Sequence, residues 1–548
     1  MKEQMKWWQK AIFYHIYPRS FCDSTNNGIG DLRGIINRLD YLKELGIDGI
    51  WISPFFSSPQ RDFGYDISDY RTIHPEYGTM EDFDELLKKS HEKGIKILLD
   101  LVLNHTSDQH PWFLESKSSR TNDKHDWYVW AEGKGRNKRK RPNNWRAIVG
   151  GSVWEWCEER EQYYLHQFLP YQPDLNWWNP KVQEEMINIM QFWLDKGVDG
   201  FRLDLIHTLF EDKELRNNPP SRHLFPAPEY VEYLLQNPKY TQFLPETMNI
   251  LKEFRKIADS YKPDRVLVGE AVGKPEIFKP IYGEKNDGLH LSFNFKFSGA
   301  SFSAKKFYEV IQEMETVLPN PFWPCLVYSN HDNPRLISRL DNNPEKVKLQ
   351  VLIKLTIRGT PFIYYGEEIG MPQAKVAEEH FQDPISTHVI WGIPIGKLFG
   401  RDGCRTPMRW DESPKNAGFS KDPNTEPWLP VGPNYSEINV KRQQQDDMSL
   451  LNFYKKLIQI RKHEDTLLIG NLEILSESNS QFLIYERQNG KEKFMIALNF
   501  SKKEVIFANP YVKSQRIFST HFFDNKQEIG NEVILLPYEG IIVKNSLN

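Results

Sequence analysis

Along this chain, runs of apolar, β-prone residues alternate with stretches of helical spacing, and that rhythm limits the fold more than any other feature. Eight runs read as strands: Ile12–Tyr17, Ile47–Ile52, Ile95–Leu103, Val198–Asp204, Val266–Glu270, Leu289–Phe297, Cys325–Asp332 and Pro361–Gly366. Helical spacing covers Gly34–Leu45, Glu81–Glu92, Lys181–Lys196, Thr247–Ser260, Ser303–Thr316, Pro344–Arg358 and Leu450–Lys462, with Thr79 placed to cap the second. Alternation of this kind predicts an α/β fold, a closed (β/α)8 TIM barrel of parallel strands.

The rhythm breaks once. Residues 105–176 are rich in Trp, Tyr, Lys, Arg and Gly, show no helical period and are too long for a plain loop. They predict a subdomain inserted after the third strand, so the barrel is assigned residues 1–104 and 177–466. From residue 467 to 548 the pattern changes to short β-prone stretches, such as Gln481–Glu486, Lys493–Asn499 and Glu532–Val543, which predict an all-β domain. Within the insertion, KGRNKRKR (Lys134–Arg141) reads as a solvated loop tip, or more sharply as a site for a phosphorylated sugar.

A formal net charge of −4 points to neither nucleic acid nor an anionic membrane as partner. No apolar run is long enough to span a bilayer, and MKEQMKWWQKAIFYHIYPRS lacks a signal core, so the expected compartment is the cytoplasm. Cys22, Cys157, Cys325 and Cys404 have no metal-ligand spacing and read as small buried hydrophobes.

Three of the strand candidates stop on an acid: Asp204, Glu270 and Asp332. A charge at the end of an apolar strand is costly unless something uses it. A parallel barrel delivers all its strand ends to one face, so these carboxylates converge. Cleaving a glycosidic bond needs a proton donor together with a nucleophile or base, which a set of carboxylates supplies. Arg202, two residues before Asp204 and on the same side of its strand, is expected to keep Asp204 ionised and lower its pKa. Glu270 has to stay protonated near neutral pH, so its pKa is expected to rise.

FGYDISDY (Phe63–Tyr70), DLVLNHTS (Asp100–Ser107), QPDLNW (Gln172–Trp177), GFRLD (Gly200–Asp204), VGEA (Val268–Ala271), SNHDNPR (Ser329–Arg335) and GRDGCRTPM (Gly400–Met408) occur in this order. In these segments the chain resembles the α-amylase family of glycoside hydrolases, in its oligo-1,6-glucosidase and α-glucosidase branch. The resemblance implies that Asp204 is the nucleophile, Glu270 the general acid/base and Asp332 a carboxylate that stabilises the transition state. It also implies that Asp62, Tyr65, His105, Phe168, Arg202, His331 and Arg405 line a pocket for a terminal glucose.

The segment Asp23–Asp31 resembles the family's calcium loop. Asp23, Thr25, Asn27, Asp31 and the Ile29 carbonyl are the implied ligands of a structural Ca2+ or Mg2+, with no organic cofactor. Leu205 stands where branch members cutting α-1,6 links carry Val and those cutting α-1,4 links carry Ala or Thr. Arg409 replaces the usual Gln of the RTPMQW motif and is expected to add a charge near the pocket rim.

The expected activity is that of a retaining, exo-acting α-glucosidase on small α-glucosides, a monomer or homodimer. The rivals are a trehalose-6-phosphate hydrolase, a sucrose isomerase or transglucosidase, and a non-catalytic member like the transporter heavy chains.

Overall fold

The computed structural model of the chain describes residues 5–223, 235–273, 275–386, 389–390, 393–394, 400–478, 480–522 and 526–545, with backbone alone for 275–277, 389–390 and 393–394. A closed barrel of eight strands forms its centre. They are β1 (Phe13–Ile16), β2 (Gly49–Ile52), β3 (Lys96–Val102), β4 (Gly200–Asp204), β5 (Val266–Gly269), β6 (Leu291–Asn294), β7 (Cys325–Val327) and β8 (Thr360–Tyr364). Each pairs in parallel with its sequence neighbours, and β8 closes on β1. The strand expectations all fall on barrel strands, and Thr79 caps the helix Met80–Glu92 in a reciprocal capping box with Asp82.

Strand alternation sorts the side chains. In β4, Phe201 and Leu203 join the large core beneath the helices. Facing inward, Phe13, Trp51, Leu98, Val268, Phe293, Val327 and Phe362 fill the barrel itself. Gly200 is required where β4 meets β5, because a Cβ there would lie 2.0 Å from the Val266 carbonyl oxygen.

Strand ends differ from their expected form: β6, expected to reach Phe297, stops at Asn294 before a short helix, Lys296–Gly299. β7 stops at Val327, so Asp332 sits in the following loop rather than on the strand. Asn330 Oδ1 accepts hydrogen bonds from the Asp332 and Asn333 amides and fixes that loop. The run continued apolar and aromatic through Tyr328, which hid the break from the sequence pattern.

The insertion folds around a three-stranded antiparallel sheet of Trp130–Ala131, Gln162–Leu165 and Trp154–Cys157. It also holds a helix, Pro111–Ser118, that the sequence reading did not find. Its PWFLESKS sequence is too short and too mixed to show a period. The basic run forms an exposed turn closed by a bridge between Lys134 and Lys140. Two of its cations are paired, Lys138 with Glu132 and Arg139 with Glu158. The C-terminal region is all β, with a six-stranded and a two-stranded sheet. Among the described residues no helix is long and apolar enough to cross a membrane.

Candidate active site

The C-terminal ends of the strands bring the acids together around one guanidinium. Arg202 is fully buried on β4. Its Nη1 donates to Asp204 Oδ1 at 2.6 Å and to Asp100 Oδ1 at 2.7 Å, and its Nη2 donates to Glu270 Oε2. Asp100 comes from β3, Asp204 ends β4, and Glu270 follows β5. Leu205, next after the nucleophile candidate, has a left-handed backbone (φ 40°, ψ 48°) that ends the strand and leads into the turn Ile206–Thr208.

Asp332 faces the same space from the other side. His331 Nε2 lies 3.1 Å from its Oδ2, while Arg401 Nη1 and Arg405 Nη2 donate to its Oδ1 at 3.0 and 3.1 Å. Tyr65 stacks on His331 with ring centroids 5.3 Å apart. The Tyr65 hydroxyl contacts His331 Nε2 at 2.7 Å and donates to Asp100 Oδ2 at 3.2 Å. Asp62 receives Arg401 Nη2 at 2.9 Å and the Gln172 side-chain amide at 3.0 Å. Phe168 of the insertion stands against His105 with centroids 5.1 Å apart. His105 already contacts the Tyr65 carbonyl at 3.1 Å and Asn104 at 3.0 Å, so any sugar hydroxyl it binds shares those bonds. The predicted pocket residues are thus joined into one network.

Sequence reasoning passed over four members of that network. Arg401 bridges Asp62, Asp332 and Asp383, and Gln172 reaches Asp62 from the insertion. Asp100 carries a signal, since it is a charge in the middle of the apolar run KILLDLVL. Arg401 and Gln172 lie inside quoted motifs, but nothing in the sequence shows that they reach Asp62. Asp383 has no signal at all.

Burial sets the electrostatics. It pushes the Glu270 carboxyl up to about 8; Arg202 opposes this, while Asp204, Asp332 and Asp100 add to it. Asp204 is also raised, contrary to the lowering expected from Arg202. Burial outweighs the guanidinium there, although Arg202 and a hydrogen bond from Glu270 both pull Asp204 down. Asp100 is pushed up by burial to about 7. Burial also acts upward on Asp332, but His331, Arg401 and Arg405 win and hold it well below the usual carboxylate range. His105 is driven down to about 3 by burial and stays neutral. The site therefore holds a permanent anion at Asp332 and a proton-retaining acid at Glu270.

Arg409 is not at the rim. It is fully buried, and its Nε and Nη2 donate to the Val431 carbonyl. Burial and the neighbouring Arg335 push it down to about 10.

The Asp23–Asp31 loop lies outside this network and is bonded to itself. Asp23 Oδ1 accepts from the Thr25 amide, the Thr25 hydroxyl and the Asn26 amide, and its Oδ2 accepts from the Gly28 amide and Ser420 Oγ. Five donors exceed the roughly four lone-pair sites of a carboxylate. Asp31 accepts from Ser24 and caps a helix at the Gly34 amide, and Asn27 Oδ1 accepts from the Ile29 amide. Bonded this way, the donor set does not fit the hard cation that the family resemblance implies.

A family model described as the α-amylase catalytic domain matches residues 15–470. An oligo-1,6-glucosidase of Parageobacillus thermoglucosidasius is 39% identical, over 98% of this chain and 99% of the relative. A probable α-glucosidase of Rhizobium meliloti is 42% identical over 90% of this chain and 89% of its own. Among solved structures, an α-glucosyl transfer enzyme, XgtA, superposes with a TM-score of 0.90 at 37% identity, covering 99% of this chain and all of its own. These matches cover both the barrel that carries the carboxylates and the regions that flank it. The chain is a glycoside hydrolase of the α-amylase family.

Proposed function

We propose that the chain is a retaining, exo-acting α-glucosidase that removes a terminal glucose from short α-glucosides through a covalent glucosyl intermediate. One observation carries the retaining reading: Asp204 and Glu270 are held by the two Nη atoms of one guanidinium, that of Arg202, which keeps the two carboxyls close together. Inversion needs a gap of about 6.5–9.5 Å to admit a water, whereas retention works at about 5–5.5 Å.

In the first step Glu270 gives its proton to the glycosidic oxygen while Asp204 attacks the anomeric carbon, and the aglycone leaves as a neutral alcohol. In the second step Glu270, now a carboxylate, takes a proton from water, which displaces Asp204 and releases α-glucose. Asp332, held as an anion, binds sugar hydroxyls and stabilises the oxocarbenium-like state. Arg202 shares its charge among three carboxylates, so neither catalytic acid is locked in one protonation state. The Asp62–Arg401 ion pair, tied through Arg401 to Asp332, supports a pocket for one terminal glucose and so cutting from the chain end.

Transfer of glucose to another sugar is the second reading, favoured by the likeness to the α-glucosyl transfer enzyme. Four free, buried cysteines support a reducing, cytoplasmic setting. The deciding experiment follows maltose, isomaltose, sucrose, trehalose and trehalose-6-phosphate by proton NMR. Fast release of α-glucose from one of the unphosphorylated sugars is expected. β-Glucose as the first product, or turnover of trehalose-6-phosphate alone, would overturn the proposal.

A further inference from the structure

A second concave site lies at the opposite end of the barrel. Asp264, Asn286, His290 and Asn320 all precede strands β5, β6 and β7, so they mark the N-terminal ends of the strands, away from the acids. Together with the N-terminal segment and the C-terminal turn at Gln488–Gly490, they enclose a cavity of about 500 Å³. That is within the range of small-ligand sites, about 300–1,000 Å³.

The chemistry of its lining is selective. Each charged residue of its lining has a partner. Asp264 holds Lys6 at 2.7 Å and Lys262 at 2.8 Å. Asp259 holds Arg255 at 2.7 Å and His290 at 3.2 Å. No charged residue of the lining stands without an ion-pair partner, so the charges alone single out neither a phosphate nor a metal ion. What remains open is a set of carboxamides: the side chains of Asn286, Asn320, Asn471 and Asn489 make no hydrogen bond to any described residue. Each offers donors and an acceptor side by side. A sugar hydroxyl also donates and accepts, so vicinal hydroxyls match such groups without any charge. Met5 and the largely buried Trp8 also line the cavity and give it an apolar part, which a sugar's C–H groups can meet.

We propose that this cavity is a second saccharide-binding site, taking a neutral di- or trisaccharide through these four asparagines. It goes beyond the catalytic reading and does not depend on which linkage the enzyme cuts.

The test uses Asp204→Asn protein, expected not to turn over, titrated with isomaltose by calorimetry. Two equivalents should bind. In the same background, Asn320→Ala with Asn471→Trp should remove the second equivalent. Asn286→Ala with Asn489→Ala should weaken it by about tenfold or more, the effect of losing one or two net hydrogen bonds. Both pairs lie on the surface of the cavity, and an unchanged kcat of each in the otherwise wild-type enzyme checks folding. One equivalent in the parent that persists in both variants overturns the proposal, as do two equivalents that persist in both. One equivalent that the cavity variants lose would keep this site and count instead against the catalytic pocket.

Discussion

The sharpest test of the mechanism is the alkaline limb of the pH–rate profile. With the Glu270 carboxyl raised to about 8, roughly nine molecules in ten carry the proton at pH 7. At its ordinary value of 4.5, pH 7 would be 2.5 above the pKa, leaving roughly one molecule in 300 protonated. Burial and the surrounding carboxylates are thus responsible for a several-hundredfold gain in competent enzyme. The expected profile of kcat/KM on a disaccharide is flat through pH 7 and falls tenfold per unit above about 8. Glu270→Gln should lower kcat/KM on the disaccharide by roughly 10²–10⁴ and abolish the limb. An aryl glucoside needs less help to leave, so its first step should suffer less and a glucosyl-enzyme should accumulate. Azide, which needs no general base, should then speed turnover and yield α-glucosyl azide. An alkaline limb that survives in Glu270→Gln, or equal loss on both substrates without azide rescue, would refute the assignment.

Four further outcomes follow from the same geometry. Asp204→Asn should cost at least roughly a hundredfold in kcat while circular dichroism and Tm stay near wild type; a variant keeping more than about a tenth of the rate would remove Asp204 as nucleophile. Glu270→Gln should gain stability relative to wild type as pH rises: the folded pKa is raised above 4.5, so the stability from the bound proton is complete below 4.5 and is lost up to about 8. Urea melts at pH 5 and 9 with equal differences between the two proteins would contradict this. Added Ca2+ or a chelator should leave Tm unchanged, because Asp23 and Asp31 already have their donors; a Tm that climbs with Ca2+ as a native-state ligand would show that the ion displaces them. Leu205→Val should raise, and Leu205→Ala lower, the ratio of kcat/KM for isomaltose over maltose, within the 1–3 kcal/mol that a methylene in a pocket is worth; ratios agreeing within about twofold in all three proteins would free Leu205 of any role in linkage.

The barrel was legible because its strands are short apolar runs that alternate with helical spacing, and because burial on both faces leaves little room for polar residues. The eight strands lie where the pattern puts them. Its ends were less legible. The pattern cannot distinguish a strand from the apolar loop that continues it, so Asp332 was placed on β7 when it belongs to a turn shaped by Asn330. The helix Pro111–Ser118 escaped for a related reason: its single pair of turns is too short to show a period, and its stability comes from packing Phe113 into the core.

The site divides along a similar line. Residues that act where their own strand ends, such as Asp204 and Glu270, could be read from their neighbours. Residues that act across the fold could not. Arg401 lies among Asp62, Asp332 and Asp383, which are 339, 69 and 18 positions away in the chain. The pKa directions show the same limit. Arg202 is two residues from Asp204, and a local argument predicts that it lowers Asp204. The fold gives that same guanidinium to Asp100 and Glu270 as well, and removes all of them from water. One cation divided among three carboxylates cannot hold each ionised. The acids therefore retain a proton among themselves, and Glu270, whose upward push is completed by Asp204, Asp332 and Asp100, is where that proton resides. The acid needed for the first step is a consequence of giving three anions a single partner.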